Sequence, residues 1–291
     1  MNRIDLHTHT NFSDGSFSPT DLVELANKQG LDSLAITDHD TTDGLSEALE
    51  AAKDLSLELI PGIELSAQFQ NREMHILGYF INLTDPKFQT RLETLRSTRM
   101  ESIRHILNRL HTLGIEILLS EVEQAGGTGT IGRPHIAQVL IAKGHVQGLK
   151  EAFERFLGVR GKAYVQRAVP EAQEIISWII DAGGIPVLAH PYWEGLNKED
   201  SIAACQTLAE QGLQGLEVFY GTFSASQISF NLGLARRLDL LMTGGSDFHG
   251  TLKPDIALGK GRGSLHVPPK VMERLRQATG RQNVNHSNPR S

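Results

Sequence analysis

A single cysteine in 291 residues leaves this chain without an internal disulfide. That shortage suits a reducing compartment, and Cys205, set in Ile202-Ala203-Ala204-Cys205, reads as part of a packed helix face. Long apolar runs are lacking as well: no stretch of about 18 residues could span a membrane, and no basic start followed by an apolar stretch marks a signal peptide. The expected location is the cytoplasm, with no membrane partner. Familiar nucleophile motifs are missing too. There is no Gly-x-Ser-x-Gly, no cysteine near a histidine and no Gly-x-x-x-x-Gly-Lys-Ser/Thr phosphate loop. Gly126-Gly127-Thr128-Gly129 lacks the lysine and reads as a turn.

What is there is unevenly charged. The net charge is -6, yet residues 81–170 hold 13 Lys or Arg against 8 Asp or Glu, about +5, leaving about -11 elsewhere. Either side of this basic stretch, strand and helix patterns alternate at parallel-sheet spacing. Strands are expected over residues 2–10, 31–37 and 57–66, with a hairpin turning near Asn71 and returning through 74–81. Ser18-Pro19-Thr20-Asp21 caps a helix that ends at Gly30, and a second runs over 43–55. The rhythm then breaks: Asp85-Pro86 opens a long helix with Leu92, Leu95, Ile103, Ile106, Leu107 and Leu110 on one side, and helices follow at 134–142 and 147–157. Alternation resumes with helices at 170–182, 198–211 and 224–238 and strands at 185–189, 216–220 and 240–243. The pattern is a barrel-like α/β domain interrupted by a helical insertion. The barrel occupies residues 1–80 and 171–285 and the insertion 81–170, followed by a disordered tail at 286–291.

Asp5-Leu6-His7-Thr8-His9 carries the strongest chemical signal, because two imidazoles two residues apart on a strand point to the same side and can hold one divalent ion. One such pair occurs by chance. Here it is joined by Thr37-Asp38-His39-Asp40, Gly62-Ile63-Glu64, His75-Ile76-Leu77-Gly78, Ala189-His190-Pro191 and Gly244-Gly245-Ser246-Asp247-Phe248-His249, most of them after short apolar runs. Barrels place chemistry at the carboxyl ends of their strands, which is where these residues fall. His105, His111, His145 and His266 lie outside the pattern and are read as ordinary surface or core residues.

The first motif and its companions resemble those of the polymerase and histidinol phosphatase (PHP) superfamily, over residues 2 to about 250. The resemblance implies a distorted, TIM-like (β/α)7 barrel with a helical insertion domain and three divalent metal ions at its mouth. It implies that His7 and His9 hold one ion with Glu64 and Asp247, that Glu64 bridges to a second held by His75 and His190, and that His39 and His249 hold a third. Asp14 stands where the family often has histidine. Its oxygen makes the site harder, favouring Mn²⁺, with Fe²⁺ or Zn²⁺ as alternatives. Asp14-Gly15-Ser16, Thr37-Asp38-His39-Asp40-Thr41, Gly132-Arg133-Pro134-His135 and Gly161-Lys162-Ala163-Tyr164 resemble the RNase AM-like branch of nucleoside 3′,5′-bisphosphate phosphatases that also act as 5′-to-3′ exoribonucleases.

The activity so implied is hydrolysis of a phosphate monoester of a nucleoside 3′,5′-bisphosphate, such as 3′,5′-bisphosphoadenosine, by metal-activated hydroxide, extending to short 5′-phosphorylated RNA. The partners are then a small nucleotide or short RNA, without DNA sequence recognition. Phosphate charge calls for cations from the insertion, and Arg99, Arg133 and His135 are the candidates, with Lys162 behind them. Tyr164, Tyr192 and Trp193 are placed to stack on a base. Asp5, Asp38 and Asp40 are expected to orient imidazoles through their free ring nitrogens. Two other enzyme classes stay open: a histidinol phosphate phosphatase, which shares the ligands, and a metal-dependent amidohydrolase, for which no lysine occurs at a matching strand end. A non-catalytic interaction module would tend to lose ligands, and all nine positions are filled.

Overall fold

The protein was analysed as a computed structural model that describes residues 3–191 and 197–280. Seven strands form one sheet in chain order: β1 (Ile4–Asp5), β2 (Ser33–Ile36), β3 (Glu58–Phe69), β4 (Arg72–Tyr79), β5 (Ile185–Leu188), β6 (Gly215–Tyr220) and β7 (Leu241–Gly245). Most neighbours are parallel, but β4 is antiparallel to both β3 and β5. The cause is local. Gln70 and Asn71 both have positive φ, 50° and 62°, and two such residues make the tight turn that suits a hairpin and forces the chain straight back.

The sheet is nearly closed where β1 meets β7: Leu6 N donates to Gly244 O at 3.1 Å, and beyond the strands Asp247 N donates to His7 O and His9 N to Phe248 O, each at 2.9 Å. Closure needs glycine here, since a Cβ on Gly245 would stand 2.4 Å from His7 N. The strand expected over 2–10 is accordingly short, because past Asp5 the backbone turns its hydrogen bonds to the 244–248 segment.

β2 is buried along its whole length, as a strand covered on both faces must be. Ala35, with Ile4, Leu6, Ile60, Leu77, Tyr79 and Val187, fills the barrel interior. Leu34 and Ile36 face outward onto α1 (Pro19–Lys28) and α2 (Leu45–Ala52). A C-terminal helix that the sequence pattern did not suggest, α10 (Lys270–Ala278), adds Val271, Met272 and Leu275 to the interior, while Arg276 pairs with Glu58 at the start of β3. It seals the end of the barrel opposite the histidines.

The long helix α3 (Pro86–Thr112) belongs to two cores. Its first half sends Phe88, Leu92 and Leu95 into the barrel's outer cluster with α7 (Ala172–Asp181). Its second half sends Ile103, Ile106, Leu107 and Leu110 into a separate cluster with α4 (Leu119–Gly126), α5 (Arg133–Ala142), α6 (Leu149–Ala152) and a π turn at Phe153–Leu157. The packing therefore changes hands within α3, around Arg99, rather than at residue 81. The remaining helices, α8 (Lys198–Glu210) and α9 (Ala225–Arg237), cover β5 to β7. Among the described residues no helix is long and apolar enough to cross a membrane. Tyr192, Trp193 and the tail at 286–291, each assigned a part in the sequence reading, lie outside the described residues.

Candidate metal centre

One rim of the barrel gathers the chemistry. His7 and His9 follow β1, His39 follows β2, His190 follows β5, and Asp247 and His249 follow β7. His75 reaches the same rim from the beginning of its strand, because β4 runs backwards; it pairs with Ser66, two residues past Glu64 on β3. Three non-glycine residues at this rim, Asp40, His190 and Asp247, have positive φ (54°, 24° and 58°). Such backbone is costly and is kept where the surroundings enforce it, as around functional sites.

Glu64 is the hub. Its Oε2 lies 3.2 Å from His7 Nε2, 3.3 Å from His9 Nε2 and 3.2 Å from His39 Nδ1; its Oε1 lies 2.9 Å from His75 Nδ1 and 2.8 Å from His190 Nε2. Asp247 Oδ1 stands 3.2 Å from His9 Nε2 and 3.4 Å from His249 Nδ1, and Asp14 Oδ1 stands 3.2 Å from His249 Nε2 and 3.9 Å from His39 Nε2. These atoms fall into four groups, each within 4.8 Å: His9, Asp14, His39 and His249; His7, His9 and Asp247; His7, Glu64 and His190; His39, Glu64 and His75. All nine expected ligands are thus brought together.

The donor set fits divalent cations. One carboxylate cannot satisfy five ring nitrogens, and His7 Nε2, His9 Nε2, His39 Nδ1 and His75 Nδ1 are buried without a hydrogen-bond partner among the described residues. Ligand atoms about 3 Å apart are what a cation with bonds of about 2.1 Å requires of neighbouring ligands. Burial opposes charge on His7, but Glu217 and Glu64 outweigh it and hold its pKa well above the usual imidazole value; His9, beside Asp247 and Glu64, is raised to about 9 in the same way. His39 goes the other way, held well below the usual value by burial, which leaves its lone pair available to a cation.

Glu217 is the residue the sequence reading missed. It is fully buried on β6, its Oε1 lies 3.0 Å from His7 Nδ1, and its Oε2 accepts from His190 N at 2.6 Å. The only signal was a lone acid in the apolar strand Gly215-Leu216-Glu217-Val218-Phe219. It does what was expected of Asp5, Asp38 and Asp40, none of which bonds an imidazole. Asp5 accepts from Ser246 N, Ser246 Oγ and Gly259 N; Asp38 accepts from Thr10 N, Thr10 Oγ1 and Ser13 Oγ. Those carboxylates tie the rim's backbone together, because exposed loop N–H groups there compete for them more closely than any ring does. Tyr220 OH and Lys253 Nζ each stand 2.7 Å from Asp247 Oδ2, fixing that carboxylate from the outside. Replacing Glu217 with Gln is expected to lower metal affinity about 10- to 100-fold, read by titrating the metal-free protein with Mn²⁺. An unchanged affinity would leave Glu217 a packing residue.

The expected phosphate contacts divide. Arg99 Nε and Nη2 donate to Asp40 Oδ2 at 3.0 and 2.6 Å, and Arg167 Nη1 shares the same oxygen at 2.9 Å. Burial opposes charge on Asp40, but the two guanidiniums outweigh it and hold its carboxyl far below the usual range. Arg133, at the start of α5, pairs with Glu73 at 3.1 Å and sits over the Tyr164 ring, 5.9 Å from its centroid. His135 is 2 % exposed and its Nδ1 accepts from Gly132 N at 2.9 Å, so it caps α5 from inside and does not line the cavities described next.

Two cavities open onto the cluster, of about 830 and 630 Å³, and both are lined by His75 and His190. The larger has Lys150, Phe153, Lys253 and Arg262 in its wall; the smaller has Arg72, Arg133, Arg160 and Tyr164.

This arrangement has known counterparts. A 5′-3′ exoribonuclease of Haemophilus influenzae is 33 % identical over 247 residues, 85 % of this chain and 90 % of that protein. A 3′,5′-nucleoside bisphosphate phosphatase of Chromobacterium violaceum is 30 % identical over 250 residues, 86 % of this chain and 88 % of that protein. A structure from Bifidobacterium adolescentis, described as a candidate metal-dependent phosphoesterase, superposes with a TM-score of 0.84 at 32 % identity, covering 95 % of this chain and 96 % of that one. The family model described as PHP domain matches residues 5–184, and with the barrel, the rim and these relatives in agreement, the chain belongs to the PHP domain family.

Proposed function

We infer that this protein is a metal-dependent phosphoesterase that hydrolyses nucleoside 3′,5′-bisphosphates and releases nucleotides from the 5′ end of short RNA. The observation that carries the reading is the ring of five imidazoles, His7, His9, His39, His75 and His190, around the one carboxylate of Glu64. Relatives bearing both activity names share most of the chain's length. In this reading Glu64 and Asp247 with His7 and His9 hold one cation, Glu64 with His75 and His190 a second, and Asp14, His39 and His249 a third, with Mn²⁺ favoured by the carboxylate oxygens. Such ions bring a water's pKa near neutrality and neutralise phosphoryl oxygens.

The chain's own residues do the rest. Glu217 keeps the His7 ring turned towards Glu64, and Lys253 and Tyr220 keep Asp247 in place. Arg133 and Tyr164 stand beside His75 and His190 across one cavity and receive the 5′ nucleotide. Arg99 is committed to Asp40, so it supplies positive potential and a firm hinge between barrel and insertion. The insertion at 81–170 serves the barrel at 1–80 and 171–285 as the source of these cations, and a cytoplasmic setting fits the buried Cys205 thiol, pushed up to about 12 by burial.

One phosphorus explains both activity names: attack on the 3′ phosphate frees phosphate from a bisphosphate and a 5′ nucleotide from RNA. The test is a side-by-side assay with Mn²⁺ on 3′,5′-bisphosphoadenosine, histidinol phosphate and a 5′-phosphorylated short RNA. Preference for histidinol phosphate would overturn the substrate reading and leave the chemistry. Arg133→Ala is expected to hurt the bisphosphate more than an aryl phosphate, by at least about tenfold for a lost charge-assisted contact; equal losses would remove Arg133 from specificity.

A further inference from the structure

Resting on that function, a question of direction remains: a bisphosphate needs room on one side of the scissile phosphorus, whereas RNA needs room on both. The two cavities supply both sides, because they meet at His75 and His190 and diverge from there. We propose that the larger cavity receives the RNA strand downstream of the cleaved bond, while the smaller one, beside Arg133, receives the 5′ nucleotide. In the step itself a water oxygen bonds to phosphorus, the P–O3′ bond breaks, and the water's proton ends on O3′. The 5′ nucleotide leaves with a free 3′ hydroxyl, and the shortened strand keeps the phosphate as its new 5′ end, ready for another round.

The larger cavity has the chemistry a strand requires. Its wall carries Lys150, Lys253 and Arg262 for phosphates and Phe153 for a base. Its opposing charge outside the cluster, Asp255, pairs with Arg262 at 3.0 Å, and Lys150 lies 3.8 Å from Glu154. Both pairs are largely exposed and hold their cations only weakly against a phosphate. At about 830 Å³ the cavity exceeds what one nucleoside fills.

Its walls are also built rather than loose. Phe153 opens the π turn, in which Gly158 N donates to Phe153 O at 2.8 Å, and such turns recur at functional sites. Across the opening, the 252–264 loop is held at three places: Gly259 N donates to Asp5 Oδ2 at 2.7 Å, Arg262 N to Gly221 O at 3.1 Å and Ala257 N to Gly261 O at 2.9 Å. Gly261 has φ 54° and packs so close that a Cβ there would meet Gly221 Cα at 2.5 Å. The Asp5 carboxylate thus links the cavity wall to the strand that carries His7 and His9.

The test uses the double variant Lys150→Glu, Arg262→Glu in the full-length, Mn²⁺-loaded protein; both side chains are exposed, so folding is not at stake. Initial rates are measured on 3′,5′-bisphosphoadenosine and on a 5′-phosphorylated decaribonucleotide over a range of salt. For RNA, kcat/KM falls about tenfold or more and its salt slope drops by about 2, one for each lost phosphate contact. For the bisphosphate the change stays within about twofold. Equal losses on both substrates, or none on either, overturn the proposal. Wild-type protein that hydrolyses the bisphosphate and leaves RNA intact overturns it too. Wild-type protein that hydrolyses neither removes the underlying function instead, which keeps the two failures apart.

Discussion

Exchanging Glu64 for glutamine is expected to lower bisphosphate turnover by on the order of 10³-fold, the equivalent of about 4 kcal/mol of lost transition-state stabilisation. The substitution keeps the side chain's size and removes only its charge. Glu64 lies between five imidazoles from four different strand ends and is 1 % exposed, so no other carboxylate can replace it as the shared ligand. Asp247 and Asp14 sit at the far sides of the cluster and touch different rings. The measurement is kcat at saturating Mn²⁺, with circular dichroism to establish that the fold survives. A loss smaller than about tenfold would mean that the site tolerates an uncharged hub, and the metal reading would fail with it.

The second large effect is on stability. Asp40→Asn leaves Arg99 and Arg167 facing each other without their shared carboxylate, inside a network that also holds Ser66 Oγ and the Leu95 carbonyl. Breaking a buried pair by removing one partner costs about 3–5 kcal/mol, because the remaining charge stays desolvated. The cost here falls at the top of that range, since Asp40 is fully buried and Arg167 only 7 % exposed. Burial already presses on Arg167, lowering its pKa to about 10 even with Asp40 present. Urea unfolding of the variant reads the change; a loss below about 1 kcal/mol, the size of an exposed pair, would show that water reaches the network. Because α3 changes cores at Arg99, the same variant loosens the insertion from the barrel and raises hydrogen exchange in 99–112.

Much of this was legible in the residues. Each ligand follows an apolar run, so its place at a strand end could be read from the pattern, and the antiparallel β4 was announced by the turn at Asn71. What stayed hidden depends on contacts between distant segments. Glu217 has no neighbour in sequence to mark it, and its role exists only because β6 lies beside His7. Asp5 and Asp38 looked like partners for imidazoles until the fold brought backbone N–H groups closer. Arg99 looked free for phosphate, but Asp40, 59 positions earlier, claims it. His135 shared a motif with Arg133, and helix geometry turns one outward and the other into the core. α10 went unnoticed because Val271, Met272 and Leu275 are few and lie between charged residues, and only the barrel's open end gives them something to cover.

The account stands on cations sharing Glu64. Anomalous scattering at the manganese edge from crystals grown with Mn²⁺ tests it directly: the account predicts peaks between Glu64 and His7, His9 and Asp247, between Glu64 and His75 and His190, and among Asp14, His39 and His249. A map without a peak beside Glu64, in crystals whose side chains are otherwise ordered, would contradict it.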